Sequence, residues 1–253
     1  SVSCLICDQL ERRLSWRAMA IPALSLLPML ICGEIFMYTQ DLNPLAEGGL
    51  VAWPASFVAY YFILYRHEEL ETDILPLLHA ATLWLLTVLA SLELAYKLEL
   101  WVSGANVWRL IAFGVVPGGA ALLLTSLGMR LSWPIGKRRE TYLSLGIGPV
   151  AIFAFLWFWF ANIASDGNAA PLSYLPFINP LDLTIGCIMV ALYTWLHRLR
   201  ATMPDIISRH NIRKPASTLM AVALFAWLNG ILVRSVHHWK KVPFTPSDLF
   251  DSV

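Results

Sequence analysis

The residues best suited to chemistry lie near the end of a long apolar stretch, 216–239. On a helix, Arg234, His237 and His238 share one stripe, because the two His residues follow the Arg by three and four positions. Neighbouring His side chains beside an Arg can bind an anion, transfer a proton or ligate a metal ion. Polar groups at membrane depth are costly, so they usually face other helices or a wet cavity. Interfacial anchoring explains the stripe most simply, and an anion or substrate site and a metal site are the alternatives.

Three further polar residues are candidates for the same site. Asn229 lies deeper in the same stretch, where an interhelical hydrogen bond is its expected role. Asn179 suits a helix N-cap because Pro180 follows it, and Asp182 then lies in the first turn, near the positive end of the helix dipole. We predict an outward-facing polar recess in which Asn179 or Asp182 lies near the stripe. The predicted substrate-binding residues are Arg234, His237, His238, Asn229, Asp182 and Asn179.

The sequence supplies no pattern for a metal site, a cofactor or a catalytic centre. A zinc site needs more ligands than two adjacent His residues, and no H-E-x-x-H spacing provides them. Cys4 and Cys7 form a C-x-x-C pair, which indicates small packing residues on an amphipathic helix, with a redox or metal pair as the alternative. We therefore expect no metal and no cofactor, and the catalytic residues stay unassigned.

Two ionisable residues inside another apolar stretch have simpler explanations. His79 lies near one end of the stretch 74–95 and is predicted to be a bonded packing residue, with a proton relay as the alternative. Glu93 lies near the other end and is predicted to pair with Lys97, four residues further along the helix.

The composition indicates an integral membrane protein. Of 253 residues, 58% are hydrophobic and 14% are charged, whereas soluble domains are about 25% charged. The mean hydropathy is +0.62. A net charge of +1 without a basic tail gives no indication of nucleic-acid binding. Membrane lipids are the expected partners, and the 11 Trp and 8 Tyr residues suit interfacial belts.

The pattern of apolar stretches predicts an all-α, polytopic transmembrane helix bundle. Residues 1–15 place Val2, Ile6, Leu10 and Leu14 at helical spacing, which predicts an interfacial amphipathic helix. A transmembrane helix needs about 20 apolar residues. About seven spans are predicted by that criterion, at 16–32, 48–65, 74–95, 110–127, 142–164, 181–197 and 216–239.

The distribution of basic residues predicts the orientation of these spans. Most of the 18 Lys and Arg residues fall in segments on the same side as the N-terminus. The predicted loops 33–47 and 165–180, on the opposite side, contain none. Since Lys and Arg favour cytoplasmic loops, the N-terminus is predicted to be cytoplasmic. The His237 and His238 end then faces the periplasm of a bacterial inner membrane.

An internal repeat is indicated by two similar segments, Leu-Asn-Pro-Leu-Ala at 42–46 and Ile-Asn-Pro-Leu-Asp at 178–182. Each precedes a predicted span, so the chain is predicted to contain two parallel repeats of four helices. Residues 16–127 would form the first repeat, and 128–253 would form the second with its last helix missing. This arrangement predicts a piece of a longer protein, whose remaining chain or other membrane subunits would be its partners.

The quoted motifs also resemble a family. The segment 175–182, Trp227-Leu228-Asn229, Arg234 and the His237-His238 pair resemble a large bacterial family of polytopic membrane proteins with a domain of unknown function. Arg12 to Trp16 is similar to a segment before one of that family's later spans. The resemblance covers essentially the whole chain, as part of the C-terminal half of a longer member. It implies a helical membrane protein and brings no established activity or catalytic residue.

Three functions are compatible with these features. The first is transport or envelope handling of a small anionic solute or lipid head group, which parallel repeats and an outward-facing Arg–His stripe favour. The second is a membrane enzyme at the periplasmic face with His237 or His238 as general base. The third is a structural membrane scaffold.

Overall fold

The computed structural model describes residues 2–14, 24–40, 43–46, 48–68, 73–102, 106–204 and 213–244. These residues contain helices and turns but no strand, so the all-α prediction is confirmed. The helices are α1 Val2–Leu14, α2 Leu26–Thr39, α3 Gly49–Arg66, α4 Leu75–Trp101, α5 Asn106–Ser126, α6 Ile147–Ala164, α7 Pro180–Thr202 and α8 Arg213–Lys240. A helical segment that begins at Arg139 and includes a π-helical turn, Tyr142–Gly146, leads directly into α6.

Long apolar helices occupy most of the predicted spans. Five segments of the described chain are long and apolar enough to cross a membrane: Leu75–Trp101, Val107–Arg130, Arg139–Ala164, Pro180–Thr202 and Pro215–Lys240. They correspond to the last five predicted spans. The helix α3 covers the predicted span 48–65 but is not among the five, because its three Tyr residues and Arg66 lower its hydropathy.

The first predicted span and the loop after it differ from the structure. Residues 15–23 lie outside the described residues, so the start of the predicted span 16–32 has no structural counterpart. The helix α2 continues to Thr39, and the prediction that a loop begins at residue 33 was wrong. Ile35 and Phe36, which follow Gly33 and Glu34, extend the apolar helix. The segment Thr-Pro-Ser-Asp at 245–248, whose sequence predicts the start of a further helix, also lies outside the described residues.

The two Asn-Pro segments behave differently. The side chains of Asn43 and Asn179 each accept a hydrogen bond from the backbone N–H two residues later, at 2.8 Å and 2.9 Å. Asn179 directly caps α7. Asn43 instead begins a turn, and α3 starts only at Gly49, after Gly48 with a φ of +91°. The prediction that Asn43 opens the next span was therefore wrong, because an extra turn separates this residue from the helix.

The chain divides into two compact units, residues 1–89 and 90–253, and the boundary falls within α4. In the first unit, α1 contacts α3 through an ion pair in which Arg66 Nη1 donates to Asp8 Oδ2 at 2.5 Å. The side chains of Val2 and Ile6 are 68% and 53% exposed. Val2 and Ile6 of the predicted stripe are thus exposed, whereas Asp8 faces α3.

His79 is fully buried in the first unit, with its Nε2 3.5 Å from Glu68 Oε2. A buried ionisable side chain needs a polar or charged partner. This contact fits the packing role predicted for His79.

In the second unit, α5 packs mainly against α7 and α6, and α8 lies against α6 and α7. Two Trp side chains reinforce these contacts. Trp157 Nε1 donates to Leu110 O at 3.0 Å, and Trp195 Nε1 donates to Leu143 O at 2.8 Å. The i,i+4 pair predicted in α4 is confirmed, with Lys97 Nζ 3.5 Å from Glu93 Oε1.

Candidate functional site

A fully buried ion pair links α7 and α8. Arg234 Nη2 lies 2.7 Å from Asp182 Oδ1, and both side chains are 0% exposed. Asp182 belongs to the first turn of α7, which the capping of Leu181 N–H by Asn179 fixes at its start. A charge removed from water is tolerated only when it is paired and hydrogen-bonded. The carboxylate therefore acts as the counterion of Arg234.

Asn162, near the end of α6, also accepts hydrogen bonds from the guanidinium. Both terminal nitrogens of Arg234 donate to Asn162 Oδ1 at 3.3 Å, and Nη1 also donates to the backbone oxygen at 3.3 Å. Asn162 Nδ2 donates to Ala226 O at 3.0 Å. A Cβ at Gly230 would lie 2.2 Å from Asn162 Oδ1, so only glycine permits this approach of α8 to α6. One Arg side chain thus connects three helices.

Tyr174, in the loop between α6 and α7, covers this pair. Its hydroxyl donates to Asp182 Oδ2 at 3.3 Å, and it also lies 3.4 Å from Ile231 O. Burial raises the pKa of Tyr174, the negative charge of Asp182 adds to that rise, and Ser235 and Arg234 oppose it. Tyr174 therefore stays protonated and serves as a hydrogen-bond donor. We refer to Asn162, Tyr174, Asp182 and Arg234 as the buried polar network.

A tight turn in the same loop closes over the buried polar network. Gly167 has a φ of +75°, and a Cβ there would lie 3.0 Å from Arg234 Cδ. Asn179 Nδ2 donates to Gly167 O at 2.8 Å and holds the turn against the start of α7. The loop therefore seals Arg234 from solvent.

A second set of polar residues lies beside this loop and is partly exposed. His238 Nε2 is 2.9 Å from Asp166 O, and the His238 ring stacks on Tyr174 with a centroid separation of 4.4 Å. His237 Nε2 is 3.6 Å from Asp166 Oδ2. One ligand atom from each of these three residues lies within 4.8 Å of the others, the arrangement that could hold a metal ion among the described residues. We call Asp166, His237 and His238 the Asp–His cluster.

The structure divides the predicted site residues into three groups. The first group lies in the interior, where Asp182 and Arg234 form the buried ion pair and Asn179 holds the loop that covers it. The second group is His237 and His238, which lie next to this pair in the Asp–His cluster. Asn229 is exposed, and its Nδ2 donates to Phe225 O of its own helix at 2.8 Å. Among the described residues it makes no hydrogen bond to the other five predicted site residues. Arg234 does not line an open recess, because a desolvated guanidinium is stable only with its partners around it.

Sequence reasoning missed three residues that complete the site: Asn162, Asp166 and Tyr174. The segment Asp166-Gly167-Asn168 did contain a turn signal, and Asp166 Oδ1 accepts from Asn168 N at 3.0 Å. That signal predicts a turn but not its neighbours. Asn162 and Arg234 are 72 positions apart in the chain, so only the packing of α6 against α8 brings them together.

Comparisons with known proteins give one family. A sequence model of the family described as "Predicted membrane protein (DUF2339)" matches residues 1–253. No curated protein and no solved structure matches the chain significantly.

Proposed function

Because the chain belongs to this DUF2339 family of predicted membrane proteins, we propose a role in the bacterial inner membrane. The protein would bind a small anionic solute or a lipid head group for transport or envelope handling. The binding surface is the end of α8 that carries His237, His238 and Lys240, together with the loop 165–179. The observation that carries the proposal is the position of two partly exposed His residues beside a fully buried Arg234–Asp182 pair.

The buried pair acts as a support in this proposal. Asp182 neutralises Arg234, so this guanidinium is not available to a ligand from solvent. The cationic groups that remain at this end are Lys240 and Lys241, both exposed, and the two His residues when protonated. Fixed cationic groups at a membrane surface attract anionic lipid, at about 1 kcal/mol for each Lys or Arg.

The proposal also includes a topology. Seven spans, with α2 and α3 as parts of the first two, would place the N-terminus in the cytoplasm and the His237 end in the periplasm. Two parallel four-helix repeats are part of the same proposal. The matching side-chain bonds of Asn43 and Asn179 support them, and the different starts of α3 and α7 weigh against exact equivalence.

The test is ligand binding by the purified protein in detergent or nanodiscs. Phosphatidylglycerol, phosphatidylethanolamine and inorganic phosphate distinguish an anionic lipid, a zwitterionic lipid and a free anion. We expect saturable binding of phosphatidylglycerol or phosphate, weakened about 30-fold by the double variant Lys240→Gln, Lys241→Gln, because each of the two lost charges is worth about 1 kcal/mol. A variant Lys137→Gln, at the other end of α6, is the matched control. Equal binding by parent and double variant would contradict the proposal.

A membrane enzyme at the same face is the second candidate. The observation that favours it is the grouping of two partly exposed His residues with the Asp166 carboxylate, His237 Nε2 lying 3.6 Å from Oδ2, because groups that transfer protons must lie within reach of a bound substrate. Turnover of an ester or phosphoester by the parent protein and its loss in His237→Asn, with folding unchanged, would select this candidate. If neither ligand binding nor turnover is detected, the protein is a structural membrane scaffold.

A further inference from the structure

We propose that the Asp–His cluster is a binding site for a divalent transition-metal ion of the zinc class. The proposal goes beyond anion binding and does not depend on it. Asp166, His237 and His238 offer one carboxylate oxygen and two imidazole nitrogens within 4.8 Å of one another. Carboxylate oxygen and imidazole nitrogen are standard zinc ligands, which bind at about 2.0–2.2 Å.

The hydrogen bonds of His237 suit a metal ligand. Its Nδ1 bonds Val242 O, which can only accept, so Nδ1 carries the proton. The lone pair then lies on Nε2, the atom that faces Asp166 Oδ2 at 3.6 Å. A metal-bound His commonly donates its other ring N–H to a backbone carbonyl in this way, which fixes the tautomer and the ring.

The two oxygens of Asp166 have separate roles. Oδ1 accepts from Asn168 N at 3.0 Å and holds the turn. Oδ2 points to His237. The carboxylate is therefore already oriented by the backbone, with one oxygen left for an ion.

His238 is held in place on two sides. Its ring stacks on Tyr174 at an interplanar angle of 9°, and its Nε2 contacts Asp166 O at 2.9 Å. Tyr174 in turn is bonded to the buried carboxylate of Asp182. The buried polar network thus positions one ligand of the proposed site.

Three protein ligands leave a coordination position open. Structural zinc sites use four protein ligands, whereas sites with three protein ligands keep a position for water or substrate. The side chains of His237 and Asp166 are 22% and 36% exposed, so an exchangeable ligand can reach the ion from solvent. A zinc ion here would add positive charge at the end of α8 and offer direct coordination to an oxyanion.

The experiment is a zinc titration of the purified protein in detergent, stripped with a chelator and free of a polyhistidine tag. Competition with a chromogenic chelator measures the affinity and the stoichiometry, and Co²⁺ absorption reports tetrahedral coordination. Asp166→Asn keeps an oxygen for the Asn168 turn but weakens the ligand, and His237→Ala removes one. The matched control is His197→Ala. His197 lies near the C-terminal end of α7, whereas the Asp–His cluster lies near the N-terminal end of that helix.

We expect one zinc per chain and a tetrahedral Co²⁺ spectrum. Asp166→Asn and His237→Ala change ligands themselves, so each should lower the affinity at least by the roughly tenfold to 100-fold that follows mutation of a ligand's outer-shell partner. The control should bind as the parent does. No stoichiometric zinc, or equal affinity in the parent and both ligand variants, would overturn the proposal. The Co²⁺ spectrum of the parent decides the question if a variant does not fold, since a spectrum without tetrahedral bands also overturns it.

Discussion

Arg234 and Asp182 meet at 2.7 Å in the protein interior, with neither side chain accessible to solvent. The pair joins the first turn of α7 to the last third of α8. Asn162 and Tyr174 satisfy further polar atoms of both partners, although Arg234 Nε has no hydrogen-bond partner in the described structure. A buried pair of this kind depends on both of its members, and the first prediction follows from that dependence.

Replacing Arg234 alone should destabilise the protein strongly. Arg234→Met leaves the Asp182 carboxylate buried without its counterion, which costs on the order of 3–5 kcal/mol of unfolding free energy. The measurement is SDS-induced unfolding in mixed micelles. The matched control is Arg109→Gln, whose partner Glu99 lies 3.7 Å away with both side chains more than half exposed. That change should cost at most about 1 kcal/mol.

A double-mutant cycle separates the pair from its helix contacts. Asp182→Asn in the Arg234→Met background removes the buried charge, so it should recover part of the lost stability. If Arg234→Met proves as mild as Arg109→Gln, or if the double variant recovers nothing, the pair does not govern the packing of α7 and α8.

A methyl group at Gly230 should disturb the same region. In Gly230→Ala the new Cβ would lie 2.2 Å from Asn162 Oδ1, so α6 and α8 must separate or the amide must rotate away. Overpacking of this kind costs about 1–3 kcal/mol. Gly119→Ala is the control, because a Cβ at Gly119 meets no atom within 4 Å. Equal thermal stability of the two variants would show that the close approach at Gly230 is not required.

The buried hydroxyl of Tyr174 predicts a pH dependence. Its pKa is raised by burial above the ordinary value of 10.0, so as pH rises the unfolded chain loses this proton first. The contribution of the protonated Tyr174 hydroxyl to stability is therefore fully present below the unfolded-state pKa. It is lost as the pH rises from that pKa through the folded-state pKa.

Tyr174→Phe should consequently lose less stability between about pH 9 and about pH 11 than the parent does. Thermal unfolding across that range is the measurement, and Tyr193→Phe, on the exposed side of α7, is the control. Parallel pH profiles for the parent and Tyr174→Phe would contradict a titrating role for this hydroxyl.

The two ends of α6 should be accessible from opposite sides of the membrane. Cysteines at Asn168 and at Lys137, in a background in which Cys4, Cys7, Cys32 and Cys187 are replaced by Ser, provide the labels. Since α6 separates these positions and is apolar apart from Asn162, we expect an impermeant thiol reagent to label Asn168→Cys from outside in intact cells. Lys137→Cys should react only after permeabilisation. Labelling of both from the same side would contradict the proposed topology.

Local features of the sequence determined the helical character of this protein. Apolar stretches of sufficient length predict helices at 74–95, 110–127, 142–164, 181–197 and 216–239, because a helix satisfies its own backbone hydrogen bonds. The cap at Asn179 and the Glu93–Lys97 pair could also be predicted, since each involves residues at most four positions apart. The prediction that a loop begins at residue 33 was wrong because the apolar residues after Gly33 continue α2.

The site itself depended on the tertiary structure. The stripe of Arg234, His237 and His238 could be recognised from its spacing, but the sequence did not indicate that Arg234 would be buried apart from the two His residues. That separation arises because Asp182 and Asn162 approach Arg234 from α7 and α6, 52 and 72 positions away. The loop that carries Asp166 then closes beside His237. A guanidinium needs its partners within hydrogen-bond distance when water is excluded, and only the packing of the three helices decides which residues those are.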